Sequence, residues 1–173
     1  MALFSRDEAL PAELRPALAS LVRPGDRSIA QASLVDGSWA VATRGGLALL
    51  TPDPALRPWS DVDRGRWDPE DAALVVQWVD GSTPLTLVMA KPTRTAFLRV
   101  FRERVQSSVV MSETVHLPEG SSARVAVRRS ASDDLFLQVV ADPGADLTAP
   151  SAAPVLRAVM SRLSAASGAP SEG

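Results

Sequence analysis

Between Trp39 and Met89 the chain alternates short apolar runs with turn-forming residues so regularly that it specifies an antiparallel β-meander. The runs are Trp39-Ala-Val-Ala-Thr43, Leu47-Ala-Leu-Leu-Thr51, Trp59-Ser-Asp-Val62, Leu74-Val-Val-Gln-Trp78 and Leu85-Thr-Leu-Val-Met89. Apolar and β-branched side chains in such runs suit a pleated, half-buried surface. Ser28 to Val35 adds a strand before them, and Asp36-Gly37 is a hairpin turn into the Trp39 strand. Arg44-Gly45-Gly46, Asp68-Pro-Glu-Asp71 and Asp80-Gly-Ser82 supply further connections. Pro52 to Pro58 contains Pro52, Pro54 and Pro58, so it reads as a loop or an edge crossing and not as a central strand. About six strands are expected between residues 27 and 90, antiparallel because every connection is short.

A helix is expected next, from Pro92 to about Val109, with Pro92 in its first turn. Phe97, Leu98, Phe101, Val105 and Ser108 share one face at helical spacing, with Arg99, Arg102, Glu103 and Gln106 opposite. Glu113 to Leu117, Ala123 to Arg129 and Leu135 to Ala141 then read as three strands, and Pro154 to about Ala166 as a final helix. At the other end, Ser5-x-x-Glu8 has the form of a capping box, and the prolines at 11 and 16 predict a short or kinked helix. The divisions that follow are an N-terminal segment over 1–26, a β-rich region with its helix over 27–110, a β-β-β-α segment over 111–166, and a disordered tail over 167–173.

Composition narrows the function. A net charge of −2 and a pI near 5.4 lack the basic excess that general nucleic-acid binding requires. The absence of cysteine removes disulfides, thiolate nucleophiles and thiolate metal sites. No basic-then-apolar leader is visible at the N-terminus, and no apolar run approaches the roughly 20 residues that span a bilayer, so a cytoplasmic protein is expected. The 17 arginines against a single lysine, Lys91, are ascribed to GC-rich coding and not to phosphate binding.

The order Trp39-Ala-Val-Ala-Thr43, Leu47-Ala-Leu-Leu50, Pro58-Trp-Ser-Asp-Val62, Trp67-Asp68 and Leu74-Val-Val76, followed by one helix, resembles bacterial pleckstrin-homology-like (PH-like) domains. Residues from about 22 to 165 resemble a family of uncharacterised actinobacterial proteins. The shared features are the Pro-Trp-x-x-Val and Trp-Asp pair and the stretch Arg102-Glu-Arg-Val-Gln-Ser-Ser-Val-Val110. The resemblance implies an α+β fold: a small antiparallel barrel or meander capped by the 92–109 helix, then a three-stranded antiparallel segment and a C-terminal helix. It carries over no site residues, and PH-like folds serve lipid, peptide and protein recognition alike.

The candidate chemistry is sparse. His116, the sole histidine, sits on a predicted strand where alternation turns it to solvent, away from any nucleophile or ligand set. Asp61 and Asp63 would share a strand face and could form half of an acid site, whereas Asp68, Glu70, Asp71, Asp133 and Asp134 read as turn residues. Neither a Walker A nor a dinucleotide fingerprint occurs. Trp59 and Trp67, with Asp61 and Asp63, could line a pocket. The competing expectation places the tryptophans in the core, each indole N–H on a backbone carbonyl, with Trp78 partly exposed. Lys91, Arg94, Arg99 and Arg102 concentrate positive charge around the central helix and could meet an acidic partner or an anionic lipid surface. Arg104, on the flank of the apolar stripe, is expected buried and paired.

The leading expectation is thus a non-enzymatic recognition or scaffold module, without cofactor or metal, that binds a protein partner. Peripheral binding to anionic lipid and small-molecule binding or catalysis in a Trp-lined pocket are the alternatives. An exposed strand edge offers a route to self-association.

Overall fold

The computed structural model describes residues 8–91, 96–118 and 120–170. The chain divides into two compact units, Met1–Gln106 and Ser107–Gly173. The class is α+β, with three helices and three antiparallel sheets.

In the first unit the N-terminal helix is short, seven residues long, as the prolines predict. Pro11 precedes a 3₁₀ turn at Ala12–Leu14, which runs into α1 (Arg15–Leu21) with Pro16 in the first helical turn. No N–H is needed from Pro16 there. Ser5 lies outside the described residues. Its intended partner Glu8 is not in a helix; it accepts hydrogen bonds from Ser33 instead, with N–H···Oε2 at 3.1 Å and the Oγ hydroxyl 2.9 Å from Oε1.

Seven strands follow where about six were expected: β1 (Ser28–Ser33), β2 (Trp39–Thr43), β3 (Gly46–Leu50), β4 (Ala55–Pro58), β5 (Val62–Asp68), β6 (Ala73–Trp78) and β7 (Leu85–Val88). They form two sheets, ordered β1-β2-β3-β4 and β5-β6-β7. At one side the sheets touch through a bridge between Leu34 and Met89, with Val35 donating to the Val88 carbonyl at 3.0 Å. At the other side no ladder joins β4 to β5, and the closed barrel is not formed. The proline-rich stretch contributes to the opening: β4 begins just after Pro54 and ends at Pro58, which has no N–H to offer a further strand. A 3₁₀ turn at Trp59–Asp61 makes the corner instead.

One arginine staples that open side. The Arg57 guanidinium lies 4.0 Å from the centre of the Trp78 ring, bonds Asp80 at 2.9 Å and sits 3.6 Å from Asp61. Trp78, expected partly exposed, is therefore buried beneath it. The Ser82 hydroxyl, then the Ser82 N–H and Arg57, hold the Asp80 carboxyl down at about 2. A depressed carboxylate contributes stability above its unfolded value of roughly 3.9, and the contribution disappears as pH falls through the folded value. Carboxyl NMR titration should therefore show Asp80 ionised down to about pH 2. Ser82→Ala should raise it more than Arg57→Ala does, and the reverse order would make the arginine the main cause.

The core between the two sheets holds Ala40, Ala42, Leu47, Val62, Leu74, Val76, Leu87 and Met89. It is covered by α2 (Ala96–Ser108) through Phe97, Val100 and Phe101. The expected helix start at Pro92 lies outside the described residues. On the opposite face of β2 and β3, Val41, Ala48 and Leu50 pack against Leu10 and Leu18. With both faces covered, β2 and β3 read as nearly unbroken apolar runs.

The second unit is a sheet ordered β10-β9-β8, from β8 (Val109–His116), β9 (Ser122–Arg129) and β10 (Leu135–Ala141), with α3 (Ala152–Ser167) on one face. β8 starts four residues before the expected Glu113, because Val109 and Met111 already pair with Arg128 and Val127. Val115, Leu117, Ala123, Val125 and Val127 meet Leu156, Val159 and Leu163. The expected tail does not begin at Ser167. Gly168 caps α3 in a left-handed conformation at φ 76°, donating to the Ser164 carbonyl at 2.8 Å, and Ala169 is buried after it. Residues 171–173 lie outside the described residues. Among the described residues, no helix is long and apolar enough to cross a membrane.

Candidate functional site

A groove of about 640 Å³ runs between β5 and α2 in the first unit. One wall is strand. Gly65 and Trp67 alternate along β5 and so share a face, with Leu74 of β6 opposite Trp67, and Asp63 lines the groove from the start of the strand. The other wall is helix, and helical spacing sorts it into two rows. Leu98, Phe101 and Val105 form an apolar inner row, and Arg99, Arg102 and Gln106 a polar outer row. Gly65 lets the walls approach: a Cβ there would lie 2.4 Å from the Phe101 ring. β5 is also the edge strand of its sheet, with β6 its one neighbour in the sheet order.

The groove draws on both sets of candidate residues. From the basic set it takes Arg99 and Arg102; from the tryptophan and acid set it takes Trp67 and Asp63. Lys91 is elsewhere, ion-paired with Glu8 at 2.6 Å, and Arg94 lies outside the described residues. Burial alone would raise the Glu8 carboxyl, but hydrogen bonds from Lys91 and Ser33 outweigh it and hold Glu8 below its ordinary value. Lys91 is thus part of a clasp between the N-terminal segment and the end of β7.

Trp59 and Asp61 do not line the groove. Trp59 is buried at 5% exposure, its indole N–H donating to the Thr43 carbonyl at 3.0 Å and its ring edge-on to Phe101 with centroids 5.7 Å apart. Asp61 belongs to the 3₁₀ turn and not to the strand, so the expected shared face with Asp63 does not exist. The register of β5 also shifts between Val62 and Arg64. Asp63 is nearly buried, its side chain 7% exposed and 3.2 Å from the Arg64 guanidinium.

No family model, curated protein or solved structure matches this chain. The groove's chemistry must be read from its own residues. His116 is exposed, as alternation predicts, and touches Ser122 through Nδ1 at 3.3 Å. Among the described residues, no group of three or more His, Cys, Asp or Glu side chains is placed to hold a metal ion. The acids at 68 to 71 behave as turn residues, Asp68 accepting from the Glu70 N–H at 3.0 Å. Arg104 is half-buried on the flank of α2.

Reading residues one by one missed Gly65, Leu74 and the inner helical row as groove residues. A signal was present: Asp63, Gly65 and Trp67 stand at strand period, and a glycine inside a strand marks a close approach by another element.

Proposed function

We propose that this chain is a non-enzymatic, PH-like recognition module of the cytoplasm, which takes an extended segment of a protein partner along β5 and into the β5–α2 groove. The observation that carries this reading is an edge strand lying beside a largely apolar helix-walled groove. An edge strand offers unpaired backbone donors and acceptors to an extended chain, and the adjacent groove selects alternate side chains. Four strands, then three, then a helix packed on the core between them support the PH-like reading.

Binding to an anionic membrane is the less favoured reading. A membrane-facing surface works through several unneutralised cations on one plane. Here Lys91 is matched by Glu8 and Arg99 by Glu103 at 3.1 Å.

Site-specific photo-crosslinking in the native cell tests the assignment. A crosslinker replacing the exposed Gln106 or Arg64 should trap a protein partner at a defined mass, while one at the remote, exposed Arg23 should not. Equal trapping from Arg23, or lipid alone from Gln106, would defeat the proposal.

A further inference from the structure

We infer that the segment recognised by this groove carries a carboxylate side chain and a large apolar side chain two residues apart, the carboxylate meeting Arg102 and the apolar group resting against Trp67 and the inner helical row. This rests on the reading of the groove as a peptide site and names the chemistry of its occupant.

The three groove arginines differ in their partners. Arg64 faces Asp63 at 3.2 Å and Arg99 bonds Glu103 at 3.1 Å. Arg102 is exposed on the helical wall of the groove and has no carboxylate partner among the described residues. The groove thus carries three arginines against one aspartate in a chain whose net charge is −2. An arginine on an apolar wall recognises a carboxylate side chain through its forked donors.

Leu98 to Val105 spans roughly 10 Å of helix at about 1.5 Å per residue. Asp63 to Trp67 spans roughly 13 Å of strand at about 3.3 Å per residue. An extended chain of four or five residues matches both walls. Paired to β5, it turns every second side chain into the groove, so two side chains that enter together stand at i and i+2. One can meet the polar row and the other the apolar row.

The test uses the full chain and four synthetic octapeptides in a Ser/Thr background. Two carry Leu and Glu two apart, in either order; one carries them adjacent; one replaces Glu by Gln in the tighter of the first two. Binding is followed by ¹⁵N shifts, with Gly65 as the groove reporter. One i,i+2 order should shift Gly65, and the adjacent arrangement should bind about tenfold more weakly because one side chain then points away. Losing the carboxylate should also cost about tenfold. Arg102→Glu should abolish the preference for Glu over Gln, and the matching Glu→Lys peptide should recover binding to that variant. Equal binding of the Glu and Gln peptides with Gly65 shifted would overturn the carboxylate inference while leaving the peptide site standing. No groove shift from any peptide at millimolar concentration, with binding to phosphatidylglycerol vesicles instead, would overturn the site itself.

Discussion

Replacing Trp59 by alanine is expected to destabilise the first unit by about 3–5 kcal/mol, the range for removing a buried aromatic from a packed core. Trp59 stands at the corner between β4 and β5, where no ladder holds the two sheets together. Its ring is buried in the core of the unit, packing edge-on against Phe101 at 76°. Its N–H satisfies the carbonyl of Thr43, a fully buried residue. Alanine would remove the buried area, the aromatic pair and the donor together. Trp59→Phe keeps most of the area and should cost only about 1–2 kcal/mol, largely from the unsatisfied carbonyl. All four tryptophans belong to residues 1–106, so tryptophan fluorescence in a denaturant titration reports this unit's unfolding separately from the other. A loss below about 1 kcal/mol for Trp59→Ala would mean that the ring is not core filling, and would return it to the candidates for ligand contact.

The same corner shows what the sequence could and could not disclose. Turn residues mark strand ends sharply, and β2 and β10 fall on Trp39–Thr43 and Leu135–Ala141 as the runs predict. The α+β class and the C-terminal helix follow from those runs and from helical spacing. Closure of the barrel does not. It depends on whether β4 and β5 can exchange hydrogen bonds, and Pro58 followed by a 3₁₀ turn decides against it. That turn also separates Asp61 from Asp63, because a residue in a 3₁₀ turn does not obey the strand period assumed for the pair.

The groove was legible only in halves. Arg99 and Arg102 are visible as a charged helix face, and Trp67 and Asp63 as an aromatic and an acid on a strand. Their convergence depends on α2 crossing β5 at Gly65, a long-range contact that no local pattern encodes. The buried Trp59 and the groove-lining Trp67 have similar local contexts, each beside proline or aspartate. Only the position of α2 tells them apart.

Gly46→Ala is expected to cost about 3 kcal/mol, at the upper end for forcing an extra methyl into a packed site. The added Cβ would lie 2.2 Å from the Arg57 carbonyl oxygen, 2.9 Å from its carbon and 3.1 Å from the Pro58 Cα. These are backbone atoms, so no rotamer change relieves them; β4 itself must move away from β3. That movement carries Arg57 off Trp78 and strains the entry to the Trp59 turn. It also disturbs the paired contacts between Gly46 and Thr43, in which the Gly46 N–H donates to Oγ1 at 3.1 Å and the hydroxyl donates back to the Gly46 carbonyl at 3.0 Å. Gly65→Ala is the informative comparison. Its closest contact, 2.4 Å, is to the Phe101 ring, which can shift with its helix. Gly65→Ala should therefore cost less in stability than Gly46→Ala, while narrowing the groove and weakening peptide binding. Denaturant titration of both variants checks the order. If Gly46→Ala were the milder of the two, β4 would not be held against β3 at this point, and the open side of the sheet pair would have to be stabilised chiefly by the Arg57 staple.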